Sequence, residues 1–239
     1  MSFAIWFILL VVISLGIGAL VEPWLEKPGF KYAFLPGVLL SGICRLVGAS
    51  IAGITVHERK IFTGHGRGIR VDTARAPWAR VLLFSAISFV GPIAAVLVAN
   101  AIFRWPLRLH NQLPGLYTDS RALVQIPGQM GQYLYDVWIL LKTMAARDPM
   151  KLIWAYVFLG VLLSNSPGKR ESAPLWGGAI IVGLLVSLGL TVRGGTEGYL
   201  IYRNVWAGLG LAFAFSLLTL LVAFVLSVIH RTREGSESH

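Results

Sequence analysis

Long apolar runs separated by short polar segments dominate the hydrophobic pattern of this chain. The first run, 3–21, is followed by a mixed loop and a second run from Phe34 to about Ser50. Further apolar runs follow and are best read as membrane crossings: 80–103, 152–164, 175–190 and 206–229. Runs of this length and apolarity are typical of transmembrane helices. We therefore predict an all-α polytopic membrane protein with about six transmembrane helices in a single integral-membrane domain over 1–239.

Two segments depart from this pattern. Residues 53–62 are rich in β-branched residues, the turn TGHGRG follows, and IRVDT resumes an alternating pattern, which predicts a small β-hairpin at the membrane surface. The long segment 104–150 contains prolines and then QYLYDVWILLKTMAAR, in which polar residues interrupt apolar ones. This pattern favours an interfacial amphipathic helix. We expect the polar tail, 230–239, to be disordered.

Composition agrees with the membrane class. The chain is 56% hydrophobic and only 13% charged, with a formal net charge of +10, whereas soluble domains carry about 25% charged residues. Because the basic residues stand in short loops beside apolar runs, membrane topology and lipid headgroups explain them better than nucleic acid. The single cysteine, Cys44, excludes an internal disulfide and is expected to be an inert apolar residue. We read 3–21 as a retained helix, since no basic segment precedes it and no small-residue cleavage motif follows.

Loop charges predict the orientation. The segment between the second and third runs carries six basic residues against two acidic ones: Arg59, Lys60, Arg67, Arg70, Arg75 and Arg80 against Glu58 and Asp72. Lys169 and Arg170 follow the fourth run, and Arg231 and Arg233 follow the sixth. With six crossings these regions share one side, which the positive-inside rule makes cytoplasmic. Both termini and the hairpin are then cytoplasmic. We predict a multi-pass protein of the cytoplasmic (inner) membrane of a bacterium.

Arg45 is the most unusual residue of the apolar runs because it stands near the middle of the second one. An arginine at this depth is costly and is generally paired or faces a polar cavity. The function is therefore expected to lie around this segment. Arg45 either has an anionic or polar partner, or extends toward the cytoplasmic face about ten residues further on, or meets another chain.

The run LPGVLLSGICRLVGASIAG resembles the first core helix of the site-2-protease family of intramembrane zinc metalloproteases. In distant members of that family, a proline–glycine start leads to HExxH, then to small residues and a β-hairpin. APWARVLLFSAISFVGPIAAVL is similar to the family helix with an A-P or G-P kink. YVFLGVLLSNSPGKRESAPLWGG is similar to the helix that ends in N-x-x-P-S-x-x-D-x-x-G. The resemblance covers 34–183 and rests on order and pattern.

The chain departs from this family at the metal site. The positions of the first histidine, the catalytic glutamate and the second histidine hold Ser41, Gly42 and Arg45. The third, acidic position falls on Glu171, and Asn165 is retained. Serine is a poor zinc ligand, glycine has no side chain and arginine repels the ion. The resemblance therefore implies a degenerate, non-catalytic pseudoprotease with no metal or other cofactor. One hypothesis is that Arg45 pairs with Glu171 or hydrogen-bonds Asn165 at the former metal position; the alternatives for Arg45 are those given above.

A displaced metal site is the enzymatic alternative. His57 and Glu58 read HE, but Ile61 stands where the second histidine belongs. His65 lies across the predicted turn, so His57, Glu58 and His65 are a weak surface metal candidate. A solvated basic hairpin is the simpler interpretation.

Three functions follow from these patterns. The leading one is a non-catalytic subunit or scaffold of a larger membrane assembly, whose partners are membrane lipids and other integral-membrane proteins. Tyr133, Tyr135 and Trp138 of the amphipathic segment are its predicted docking face. The alternatives are a metalloprotease with a displaced site, and a small transporter or lipid-binding protein with Arg45 on its pathway.

Overall fold

The computed structural model describes 2–25, 27–58, 70–71, 76–102, 109, 126–165, 177–178, 181, 185 and 196–237. Most of these residues are helical. The longer helices are α1 (Ser2–Leu25), α2 (Pro28–Ala33), α3 (Leu35–Ala52), α4 (Trp78–Ile102), α5 (Ile126–Arg147), α6 (Leu152–Asn165) and α7 (Thr196–Glu237). A 3₁₀ turn, Pro149–Lys151, joins α5 to α6. The predicted all-α membrane class is confirmed at this level.

Four of the described helices are long and apolar enough to cross a membrane. Their candidate spans are Ile5–Leu25, Leu35–Ala52, Trp78–Asn100 and Val205–His230. Helices suit this setting because no water is available in lipid to satisfy backbone N–H and C=O groups. Helix α3 ends at Ala52 because the following residue, Gly53, has a left-handed conformation (φ 63°). The amide of Ile54 then donates to the carbonyl of Ala49 at 2.9 Å.

The count of six crossings is not confirmed. The predicted fourth crossing appears as α6, a helix of only 14 residues, and the predicted fifth, 175–190, lies mostly outside the described residues. The prediction of a disordered tail is wrong for residues 230–237, because α7 continues without interruption to Glu237. Extending a helix that is already formed requires no new nucleation, and the hydroxyl of Thr232 donates to the carbonyls of Val228 and Ile229.

The predicted loop after the first run is also partly helical. Helix α1 continues through Pro23 to Leu25, and α2 begins at Pro28. A tertiary contact accounts for the longer α1: the indole N–H of Trp24 donates to the carbonyl of Leu226 in α7 at 3.2 Å. Such a contact has no signal in the local pattern.

Helices α1 and α7 run parallel to each other. The ring of Trp6 lies against Phe213 with centroids 5.0 Å apart, and Trp24 meets Leu226 and His230 further along both helices. Two parallel helices that both cross a bilayer begin on the same side of it. If α1 and α7 both cross the membrane, this packing predicts an odd number of crossings from α1 to α7, whereas the sequence pattern predicts six with both termini on one side.

Helices α3, α4 and α6 form a second group. Cys44 of α3 lies against Gly91 of α4, and Gly53 at the end of α3 meets Arg80 near the start of α4, so these two helices are antiparallel. Helix α6 runs parallel to α3, and the two backbones lie close together at Gly37 and Gly160. Small residues at such crossings are typical of helix association in membranes.

Two short strands follow α3. Strand β1 (Val56–Glu58) pairs antiparallel with β2 (Arg70–Val71), with Val56 opposite Val71. The antiparallel pairing is as predicted, whereas the turn between the strands lies outside the described residues. The hairpin as a whole, and its place at the cytoplasmic interface, therefore stay predictions.

Replacing Gly37 with alanine should destabilise the α3–α6 contact. A Cβ atom there would overlap the backbone of Gly160 and lie 2.5 Å from the amide nitrogen of Val161. Because backbone atoms cannot move aside as a flexible side chain can, we expect a loss of about 1–3 kcal/mol. Gly131→Ala is the matched control, since it lies within α5 and a Cβ there meets nothing within 4 Å. Thermal unfolding in detergent measures both, and equal midpoints would contradict this account of the crossing.

The parallel packing of α1 and α7 predicts that the two chain ends lie on opposite sides of the membrane. The basic segment 59–80 favours the cytoplasm for the side on which α1 begins. A fluorescent protein fused at the N-terminus should therefore fold in the cytoplasm, and a phosphatase fused at the C-terminus should be active outside it. A third reporter inserted within 59–69 should match the N-terminal one. If the two terminal fusions report the same side of the membrane, α1 and α7 cannot both cross it in this parallel packing.

Candidate functional site

The buried polar residues at the contact of α3, α4 and α6 form the candidate site. Helix α3 contributes Ser41 and Arg45, and α6 contributes Ser164 and Asn165. The first three of these side chains are buried, with at most 9% of their surface exposed. Ser41 and Arg45 lie one turn apart and therefore on the same face of α3. Polar side chains so enclosed among apolar helices need partners, because an unsatisfied polar group in this setting is costly.

Ser41 and Ser164 join α3 to α6 through a hydrogen bond. Their hydroxyl oxygens are 3.1 Å apart, and the Ser164 hydroxyl also lies 2.8 Å from the carbonyl oxygen of Gly160. A serine hydroxyl has one proton to donate. Because that of Ser164 goes to the carbonyl, Ser41 is the donor in the pair. The position at which the resembled family holds its first histidine is thus occupied here by a helix-to-helix hydrogen bond.

Asn165 connects α6 to α4 at the next position. Its side-chain amide donates to the carbonyl oxygen of Phe89 at 2.7 Å. Phe89 stands three residues before Pro92, which lies inside α4, in the turn whose hydrogen bonding a proline disturbs. The side-chain amide of Asn165 therefore donates to a backbone carbonyl of α4 in a turn where the helix's own hydrogen bonding is weakened.

Arg45 lies over the ring of Phe84 in α4. The guanidinium carbon is 5.8 Å from the ring centroid, within the distance at which a cation is attracted to an aromatic face. Gly42, the position of the family's catalytic glutamate, is buried on the same helix. The predicted partner Glu171 lies outside the described residues, so its pairing with Arg45 stays a prediction.

The residues of the alternative metal site are only partly described. His57 is exposed on β1, Glu58 ends that strand, and His65 lies outside the described residues. Within the described part of the chain, no group of three or more His, Cys, Asp or Glu residues is placed to hold a metal ion.

The predicted docking face on α5 needs one correction. Tyr133 is 3% exposed, and its ring lies edge-on to Trp6 and Phe213. It is therefore part of the core, because it shares one face of α5 with the buried Val137. Burial and, less strongly, the carboxylate of Asp136 raise the pKa of Tyr133 to about 12. Tyr135 and Trp138 remain on the surface, 63% and 64% exposed.

Sequence reasoning missed Ser164 and Phe84. Ser164 directly precedes Asn165 in the motif that carries the resemblance, and a hydroxyl residue next to a retained asparagine near the end of an apolar run was a usable signal. Phe84 had no such signal, since one aromatic residue in an apolar helix looks like any other.

Comparisons with protein-family models, with curated proteins and with solved structures found no match. The resemblance to the site-2-protease family therefore rests on the motifs quoted above.

A double-mutant cycle tests the link between Ser41 and Ser164. We expect Ser41→Ala to cost about 1 kcal/mol, since it removes one hydrogen bond. Ser164→Ala should cost more, about 1–3 kcal/mol, because it leaves the buried Ser41 donor without its acceptor. The coupling energy should be about 0.6 kcal/mol and no more than about 1.7 kcal/mol, the average and the largest value that such cycles give for hydrogen bonds between helices in membranes. Ser50→Ala, at an exposed position of α3, is the control. Additive effects in unfolding measurements would show that the two hydroxyls do not stabilise each other.

Proposed function

We propose that this chain is a non-catalytic integral-membrane subunit or scaffold of a larger membrane protein assembly, built on an inactivated fold like that of the intramembrane metalloproteases. The observation that carries the proposal is the hydrogen bond between Ser41 and Ser164. It joins two helices at a position where an active relative would hold the metal.

The neighbouring residues support the same proposal. Gly42 supplies no acid–base group, and Arg45 places a permanent positive charge where a second ligand would be needed. Asn165 is bonded to the backbone of α4. These side chains bind helices to one another, as a scaffold requires, and offer no activated nucleophile. We place the protein in the cytoplasmic membrane of a bacterium as part of this proposal.

The exposed aromatic pair on α5 is the proposed contact with other subunits. Tyr135 and Trp138 lie three residues apart on the outer face of a helix whose inner face packs against α7. Large aromatic side chains of this kind are enriched at protein–protein contacts. Tyr133, on the inner face, takes no part in this contact.

Purification from the native membrane in a mild detergent tests the proposal. We expect native mass spectrometry to find the chain in an assembly of fixed stoichiometry. The double variant Tyr135→Ala/Trp138→Ala should release it, since losing central aromatic anchors commonly costs 2 kcal/mol or more each. Trp78→Ala is the control, because Trp78 is equally exposed (67%) but lies on α4.

Two results would contradict this function. A wild-type chain that migrates alone at 26.1 kDa would rule out the stable assembly. Stoichiometric zinc in the same sample, lost on replacing His57 or Glu171, would instead support the displaced-site metalloprotease.

A further inference from the structure

The outer side of α5 carries a straight stripe of exposed residues. Gly128, Tyr135 and Lys142 follow one another at intervals of seven residues, and Gly131 and Trp138 stand between them. All five residues are exposed. Because seven residues make nearly two turns of an α-helix, these residues lie along one side of α5 over a length of about 21 Å. We name these five residues the α5 stripe.

The opposite side of α5 already packs on the protein. Tyr133, Val137 and Met144 are buried there, and the ring of Tyr133 lies edge-on to Trp6 and Phe213. An amphipathic helix at a membrane surface buries its apolar side in lipid and leaves its basic residues on the other side. Since the apolar side of α5 is covered by protein, the α5 stripe is not the side that such a helix would insert into lipid.

Two glycines leave open space at one end of the α5 stripe. A Cβ atom on Gly128 or on Gly131 would meet nothing within 4 Å. Tyr135 and Trp138 follow along the stripe and are 63% and 64% exposed. A partner backbone can approach closely at the glycines, as it does at small residues between membrane helices, and the two rings then provide apolar contact area. This shape suits a second helix that lies along the stripe.

Lys142 places a positive charge at the other end of the α5 stripe. Its ammonium group has no hydrogen-bond, ion-pair or aromatic partner among the residues that the structure describes. The stripe itself contains no aspartate or glutamate. An acidic residue of a partner would therefore complement the charge and fix the register of the contact. The same stripe of a second copy of this chain would bring no acidic residue to this position.

We propose that the α5 stripe binds an amphipathic helix of another membrane protein, which packs closely on the two glycines and places an aspartate or glutamate opposite Lys142. The inference rests on the subunit function proposed above and names the kind of partner that this function requires. The contact lies at the membrane surface, because α5 is not among the candidate membrane spans of the described helices.

Site-specific photocross-linking of the full chain in its native membrane tests the contact. Benzoylphenylalanine placed at position 131, 135, 138 or 142 should label one partner peptide, which mass spectrometry then identifies. Moving the probe from 135 to 142 should move the attachment point by about seven residues, since two paired helices have the same rise per residue. Position 143 is the control, because Thr143 is exposed but turned by about 100° from Lys142. A probe there should cross-link much less.

The charge is tested in the same assembly. Lys142→Glu should weaken association with the partner about tenfold or more, because two like charges would then face each other. Lys142→Arg keeps the charge and should associate like wild type. Replacing the partner's acidic residue, located by the cross-link from position 142, with lysine should restore association with Lys142→Glu. Gly131→Leu should also weaken association without lowering the unfolding midpoint of the isolated chain, since a side chain there meets no neighbour within the chain.

The inference is overturned if the cross-links fall on lipid, on a second copy of this chain, or on partner residues without helical spacing. It is equally overturned if Lys142→Glu associates like wild type. Each of these results is compatible with an intact assembly of fixed stoichiometry, and the proposed subunit function would then still stand. A wild-type chain that migrates alone would contradict both.

Discussion

The close approach of α3 and α6 at Gly37 and Gly160 determines the geometry of the buried polar contact. With no side chain on either residue, the backbones come near enough for short side chains to meet one turn further on. Ser41 then reaches Ser164 at 3.1 Å, a distance that larger residues at the crossing would not allow. Since lipid offers no hydrophobic driving force between helices, such packing and hydrogen bonding must supply the association energy.

The contacts around this crossing join all three helices that enclose the buried polar residues. Here neutral and charged groups join the same helices separately: a serine pair between α3 and α6, an amide-to-carbonyl bond from α6 to α4, and an arginine over a phenylalanine ring between α3 and α4. Pro92 contributes to this arrangement, because it weakens the backbone hydrogen bonding of the preceding turn of α4 and so leaves the carbonyl of Phe89 as an acceptor for Asn165.

The packing of α1 against α7 is the second main helix contact of the described structure. The parallel pairing of α1 with α7 is held by aromatic contacts near the start of α1 and by the Trp24 indole near its end. Helix α5 packs its inner face on this pair through Tyr133, which leaves Tyr135 and Trp138 outside. Most of the surface of these two side chains therefore lies outside the core that the described helices form.

The sequence by itself determined the membrane class, the approximate bounds of α1, α3 and α4, the amphipathic character of α5 and the unusual position of Arg45 within an apolar run. These follow from local properties: apolar length, helical period and the cost of a charge in lipid. It did not determine the direction in which α7 packs, the length of α6, or which face of α5 is buried. Those depend on contacts between residues far apart in the chain, such as Trp6 with Phe213. Ser41 was identified by resemblance as an altered ligand position, but only the tertiary structure placed Ser164 opposite it, because a hydrogen-bond partner 123 residues away leaves no trace in local sequence.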